Sequence, residues 1–267
     1  MSTLTSYTSG TRPAASSNSG LCIFRSDTSA IEVSDGTDWQ TYNSDGVFVP
    51  WTTNTYSLDF DGTNDYLGIG SNSKLEFTSS FSLSAWVKPD LNKTQYVIDT
   101  SSDSSFGNGY MIRCESNGTV RFWSYNAGSS LTTTATVSTS SWNHLVAVKD
   151  GSALRVYINA GTPATRTDSG FNTSNTTNLR IGSSSLFGGY FNGLIDEVSM
   201  YDYALTGSNV STIYNSGSPD DLTNLTPTAH WRMGDNDGNT GSTVTDVSSS
   251  GGADATINGA TFSTTVA

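Results

Sequence analysis

This 267-residue sequence predicts an all-β fold: a two-sheet antiparallel sandwich preceded by a small N-terminal β meander. Three observations point there. Short runs such as Phe81-Ser-Leu-Ser-Ala-Trp-Val-Lys-Pro89 alternate apolar and polar side chains, the period of a half-buried strand. Gly, Asn and Asp divide the runs at turn-like spacing. Only 13% of residues are charged, yet six Trp, eleven Phe and twelve Tyr supply the apolar surface a core requires.

Taken in order, residues 1–50 form a first segment. Residues 1–20 are small and polar. Leu21-Cys22-Ile23-Phe24, a turn at Arg25–Thr28, Ala30-Ile31-Glu32-Val33, a turn at Ser34-Asp35-Gly36, and Trp39 then make a two- or three-stranded meander. So small a sheet does not stand alone, so it is expected to pack on the main domain, a neighbouring subunit or a larger particle.

The main domain is expected over residues 51–267. Tyr56–Phe60 alternates, turns at Asp61-Gly62 and resumes at Tyr66. Pro89 stops the strand that begins at Phe81, since proline cannot donate to a ladder. Tyr96-Val-Ile-Asp, Trp142–Lys149, a turn at Asp150-Gly151, Leu154–Asn159 and Asn178–Gly182 follow. Leu194-Ile195-Asp196-Glu197-Val198 places a carboxylate in a buried strand. Thr206 is a suitable N-cap for a short helix through Val210, Ile213 and Tyr214, ending at Asn215 and Gly217.

The hairpin within 109–125 allows two registers. A two-residue Asn117-Gly118 turn pairs Ile112 with Trp123. A three-residue loop, Ser116-Asn117-Gly118 with Gly118 left-handed, pairs Ile112 with Phe122 and Cys114 with Val120. Only the second gathers apolar residues on one face, and a slip by one residue would expose them. It leaves Met111, Arg113, Arg121, Trp123 and Tyr125 on the face away from the core. Aromatic rings beside guanidinium groups suit sugars, whose C–H faces stack on rings and whose hydroxyls accept from arginine. The same face suits a subunit contact or a surface covered by a loop.

The series SLDFDGTNDYL, FSLSAWVKP, WNHLVAVKDG, LRVYINAG, LRIG, FNGLIDEV resembles, in order and spacing, the laminin-G-like, concanavalin-like jelly rolls over roughly residues 56–217. The resemblance implies two packed antiparallel sheets but no single function. His230-Trp231-Arg232-Met233-Gly234 through Ala255-Thr-Ile-Asn-Gly is similar to the strand pair that usually opens such a domain. Here it comes last, so residues 219–267 are expected to complete the sandwich. RPAASSNSGLCIFRSDTSAIEVSDGTDWQTY, with its Arg12-Pro13, Asp-Thr turn and Gly-x-x-Trp, resembles a motif near the ends of tailed-phage fibre and appendage proteins. That likeness implies an attachment segment, with Arg12, Pro13, Phe24 and Trp39 its candidate residues.

Asp61-Gly-Thr-Asn-Asp65 clusters oxygens at a turn, and a hard cation such as Ca2+ takes six to eight. The jelly-roll resemblance implies a structural calcium with a strand aspartate at the position of Asp196. Which of Asp59, Asp61 and Asp65 joins it stays open. Asp235-Asn-Asp-Gly-Asn resembles the start of a calcium loop but lacks a Glu at the twelfth position, and reads as a turn. Glycosidases of this fold need two carboxylates on one strand face, whereas Asp196 and Glu197 alternate onto opposite faces. His144 and His230 lie in strand patterns and read as structural. Gly68-x-Gly70 precedes no helix and cradles no phosphate. Cys22 and Cys114 lack metal spacing and read as free buried thiols.

A formal net charge of −12 argues against nucleic acid and anionic membranes as partners. No apolar stretch reaches membrane-spanning length, and the N-terminus lacks the basic start and apolar core of a secretory signal. The expectation is a non-enzymatic phage virion protein: a capsid decoration, head fibre or short tail appendage. It would be made in the host cytoplasm and carried on the virion, touching other virion proteins, trimeric, and displaying a lectin-like domain for host-surface glycans. The alternative is a free bacterial carbohydrate-binding module or adhesin.

Overall fold

The computed structural model describes residues 6–7, 13–14, 17, 21–25, 30–34, 39–42, 54–100, 109–124, 129–171 and 178–267. The chain divides into two compact units, 1–53 and 54–267.

In the first unit β1 (Ser6–Tyr7), β2 (Cys22–Arg25), β3 (Ala30–Ser34) and β4 (Trp39–Tyr42) form a four-stranded sheet in that order. Strands β2 to β4 run antiparallel as a meander. Strand β1 joins in parallel, pairing Ser6 with Phe24 and Tyr7 with Arg25. The small, polar residues 1–20 carry no periodicity that would reveal it. Ile23 is buried, while Cys22 is only half-buried, unlike the buried thiol its sequence context suggests.

The second unit is a sandwich. Its strands are β5 (Ser57–Asp61), β6 (Tyr66–Gly70), β7 (Phe81–Pro89), β8 (Gln95–Asp99), β9 (Tyr110–Cys114), β10 (Thr119–Ser124), β11 (Ser129–Thr136), β12 (Asn143–Asp150), β13 (Ala153–Ile158), β14 (Ala164–Thr167), β15 (Leu179–Ile181) and β16 (Asn192–Tyr201). Helix α1 (Gly207–Tyr214) follows, then β17 (Ala229–Trp231), β18 (Thr243–Val244), β19 (Ala255–Asn258) and β20 (Thr261–Ser263). One sheet runs β11-β10-β9-β8-β15-β6-β19-β18. The other runs β14-β13-β12-β7-β16-β5-β20, with β17 also on β16. No helix among the described residues is long and apolar enough to cross a membrane.

Alternation explains the packing. Leu58 and Phe60 on β5, Phe81, Leu83 and Val87 on β7, Ile112 on β9, Phe122 on β10 and Leu145 on β12 fill one core between the sheets. Aromatic rings brace it, with Phe81 and Tyr110 centred 4.6 Å apart. Strands β7 and β12 are buried on both faces, because α1 covers the outer side of their sheet. Val146, Val148 and Tyr201 meet Leu205, Val210 and Ile213 there, and Ser82 Oγ accepts the Leu205 N–H at 2.8 Å. That helix starts where its cap predicts. Thr206 and Asn209 form a reciprocal capping box, and Asn215 ends the helix in the left-handed region at φ 39°.

The β9–β10 hairpin takes the three-residue loop. Ile112 faces Phe122 and Cys114 faces Val120, and Gly118 adopts φ 86° while donating to the Glu115 carbonyl at 2.8 Å. Burial pushes the Cys114 thiol up to about 12, so it stays protonated at any physiological pH.

The tail is built into both sheets. Strand β17 pairs Trp231 with Val198 of β16, β19 pairs Ile257 with Leu67 of β6, and β20 pairs Phe262 with Leu58 of β5. Trp231 is fully buried and donates its indole N–H to the Ala253 carbonyl at 2.7 Å.

Candidate functional site

The adopted hairpin register decides which side chains meet on the outer face of the β8–β9–β10 ladder. Arg113 lies opposite both Arg121 on β10 and Tyr96 on β8, and Trp123 lies opposite Met111. The Arg113 guanidinium sits 5.6 Å from the ring centres of both Tyr96 and Trp123, and that of Arg121 5.0 Å from Trp123. Cations this close to aromatic faces are attracted by the ring quadrupole.

Hydrogen bonds hold the guanidinium groups in place. Arg113 donates from Nε to Glu115 Oε1 at 2.9 Å and from Nη1 to Tyr96 Oη at 3.1 Å. Arg121 donates from Nη2 to Ser130 Oγ at 3.1 Å. Burial alone would lower the Arg113 pKa, but Glu115 and Tyr96 outweigh it and hold it above its ordinary value. Burial raises the Tyr96 hydroxyl despite that arginine, so it remains a neutral donor and acceptor. Phe187, 43% exposed, stacks on Tyr96 with ring centres 6.4 Å apart and continues the surface outward. The result is a fixed, charged and aromatic platform with Trp123 half-exposed.

Three of the four residues expected to bind glycan, Arg113, Arg121 and Trp123, are thus brought together. Tyr125 lies outside the described residues. Tyr96, Glu115 and Phe187 were missed. A bulge between Tyr96 and Ile98 hid the first, because regular alternation would set Tyr96 on the face of the core residue Ile98; Phe187 sits in a loop with no period to read.

The four aspartates do not assemble as one cation site. Asp65 Oδ2 accepts the Asp61 N–H at 2.9 Å, and Asp61 Oδ1 accepts the Thr63 N–H at 2.7 Å. Burial, then the charges of Asp65 and Asp61, raise the Asp59 pKa. Asp196 lies elsewhere. Asp61 faces Asn192 on β16, so Asp196 is four residues further along, about 13 Å at strand rise. Its carboxylate accepts from Asn54 Nδ2 at 2.9 Å, the Glu197 N–H at 2.9 Å and the Ala267 N–H at 3.2 Å. Among the described residues no group of three or more His, Cys, Asp and Glu side chains is placed to hold a metal ion. A site gathering all four aspartates does not fit this geometry; Asp59, opposite Leu194, stands two residues from Asp196 along the ladder.

Asp196 and Glu197 also depart from simple alternation. A bulge interrupts β16 between Asp196 and Ser199, with Glu197 at φ 42°. Ile195 and Val198 both point into the core, and the extra residue returns Glu197 to the outer side that holds Asp196. Both carboxylates are nevertheless buried and engaged. Glu197 binds His230 Nε2 at 2.6 Å and Arg232 Nε at 2.9 Å. Burial would raise its pKa, but His230 and Arg232 outweigh burial and lower it. His144 is buried with Ser84 Oγ 2.8 Å from Nε2, and burial lowers it to about 3. The Asp235 turn binds Thr55 and Tyr56 through Oδ1 and Arg232 through Oδ2.

Of the attachment residues, Arg12 lies outside the described residues and Pro13 is half-buried. Phe24 and Trp39 fall in β2 and β4, with side chains outside the described set.

No curated protein matches this sequence. Among solved structures, a putative carbohydrate binding protein from Bacteroides ovatus superposes with a TM-score of 0.63 at 16% identity, over 89% of this chain and 73% of that one. A heptameric SAP-like pentraxin from Limulus polyphemus gives 0.49 at 19% identity, over 62% of this chain and 84% of that one. The CBM40 of Ruminococcus gnavus IT-sialidase, solved with α2,3-sialyllactose, gives 0.49 at 12%, over 61% and 99%. The first of these likenesses shows the fold. Residues 61–211, more than half of the chain, match the family described as the concanavalin A-like lectin/glucanases superfamily, and the chain belongs to that family.

Proposed function

We propose that this protein binds glycans without cleaving them, through the platform of Tyr96, Arg113, Arg121 and Trp123. The observation that carries the reading is the pair of guanidinium groups held within 5.0–5.6 Å of the half-exposed Trp123 ring. Sugar C–H faces pack on such rings, and fixed N–H forks orient hydroxyls or carboxylates. Binding without hydrolysis is supported by Asp196 and Glu197, whose buried and occupied carboxylates are closed to a substrate.

The proposal extends to location. The first unit, a four-stranded sheet, fastens the sandwich to the virion of a tailed phage. There it serves as a capsid decoration, head fibre or short tail appendage, in a trimeric assembly. Support for this step is the resemblance of residues 12–42 to phage appendage ends.

A glycan array, followed by calorimetry on its hits, tests the binding. Trp123→Ala is expected to weaken affinity at least tenfold with the melting temperature retained; unchanged affinity for every hit removes the platform as the site. Antibody labelling of phage particles in the electron microscope tests the location. Label at one fixed place supports the virion reading. Unlabelled particles with free protein favour the bacterial carbohydrate-binding module instead.

A further inference from the structure

The second sheet carries a groove on its outer face, beside α1 and remote in topology from the β8–β10 platform. One hollow, of about 520 Å³, is walled by Trp86, Trp142 and Tyr214, with Ser140, Ser141 and Asn159 at its rim. A second, of about 410 Å³, runs over Pro89, Thr139, Gly193 and Leu194. Lys88 borders both and makes them one groove.

Three features of this groove ask for a ligand. Trp86, His144 and Tyr214 pack as a cluster of three near-parallel rings, with centres 4.9, 5.7 and 6.1 Å apart, so the aromatic wall is braced before anything binds. The Trp142 indole N–H is shut away from water with no acceptor among the described residues. An unmet buried donor costs about 1–3 kcal/mol, and an acceptor brought in by a ligand would relieve it. Asn159 spends its Oδ1 on the His144 N–H at 2.7 Å, leaving its Nδ2 without a partner among the described residues.

The charge at the join selects the ligand class. Lys88 has no acid partner among the described residues, in a chain with 24 acidic and 12 basic side chains. The acidic side chain bordering the groove, Asp90, accepts from Asn192 Nδ2 at 3.0 Å, and the first hollow is also lined by Thr265, Val266 and Ala267. An unpaired ammonium between a hollow walled by aromatic rings and one floored by Pro89 and Leu194 suits a chain of sugar rings with a carboxylate at its middle. We infer that this groove is a second, independent binding site, specific for acidic oligosaccharides: uronic or similar carboxylated sugars span the two hollows, a ring face packs on Trp142 and Tyr214, and the carboxylate pairs with Lys88.

Calorimetry with trigalacturonate and with its neutral counterpart, galactotriose, tests this on the full chain. The wild type is expected to prefer the acidic trisaccharide at least tenfold. Lys88→Gln should bring that ratio close to one, and Trp142→Ala should weaken both sugars at least tenfold while Trp142→Phe largely restores them. Trp123→Ala, which removes the platform, should change neither. The inference is overturned if the wild type fails to bind trigalacturonate at millimolar concentration, if Lys88→Gln keeps the preference, or if Trp142→Ala binds normally with an unchanged melting temperature. Loss of trigalacturonate binding on Trp123→Ala alone would place that sugar on the platform and remove the groove; loss on Trp142→Ala alone supports the groove and leaves the platform to be judged on its own array hits.

Discussion

Asp196 and Glu197 are chain neighbours on one side of one strand, and their surroundings drive them apart. Burial, and then the charge of Glu197, push the Asp196 carboxyl well above its ordinary 3.8, while His230 and Arg232 hold Glu197 below its own. The linkage has a definite sign. Above pH 3.8 the unfolded chain has released the Asp196 proton that the folded chain still holds, so this group's contribution to stability falls as pH rises until the folded carboxyl also ionises. Asp196→Asn removes that penalty. Asn54, whose Oδ1 has no partner among the described residues, can turn its amide to accept from the new one. The expected outcome is a variant whose stability relative to wild type increases from pH 4.5 to pH 7.5, read from urea unfolding at both; a constant difference would reject the assignment. The buried aspartate was legible in the apolar run around it. The side taken by Glu197 was not, because a one-residue bulge reverses alternation and a glutamate at positive φ leaves no mark such as a glycine would.

At the scale of elements, burial and turn chemistry carried most of what could be read. The hairpin register followed from which pairing gathers Ile112, Cys114, Val120 and Phe122 on one face. Helix α1 was readable from Thr206 even though its capping-box partner is Asn209 rather than a glutamate. Thr206→Ala should cost about 1 kcal/mol, seen as a lower urea midpoint with an unchanged slope. Because α1 ends in Tyr214, which stacks on Trp86, the same variant should also loosen the groove and lower its affinity for an acidic trisaccharide. The platform was half-legible. Arg113, Arg121 and Trp123 share a strand pair whose register can be argued locally, but Tyr96 joins them across β8–β9, where a bulge between Tyr96 and Ile98 shifts the pairing. The aspartate set failed for a related reason. Strand order can be guessed from motif order, but the distance between Asp61 and Asp196 along a shared ladder depends on a register that no turn sets.

For the whole molecule, the decisive connections are those of residues 219–267. They supply the outer neighbour of β5, the neighbour of β6 beyond β15, and the third partner of β16. Removing them strips Trp231, Met233 and Val244 from the core. A chain ending at Ser218 is expected to lose its cooperative thermal transition in circular dichroism and near-ultraviolet signal; a melt resembling the full chain would mean that the tail only decorates the sandwich. The same connections set a timetable for synthesis. Leu58 lies opposite Phe262 and Leu67 opposite Ile257, so strands made early wait for strands made some 200 residues later. At translation rates of ~5–20 residues per second that wait is roughly 10 to 40 s, during which open strand edges and an unfilled core face the crowded cell. Slow induction in the cold and ample chaperone should therefore raise the soluble yield of this protein more than they would for a domain whose strands pair with their immediate successors.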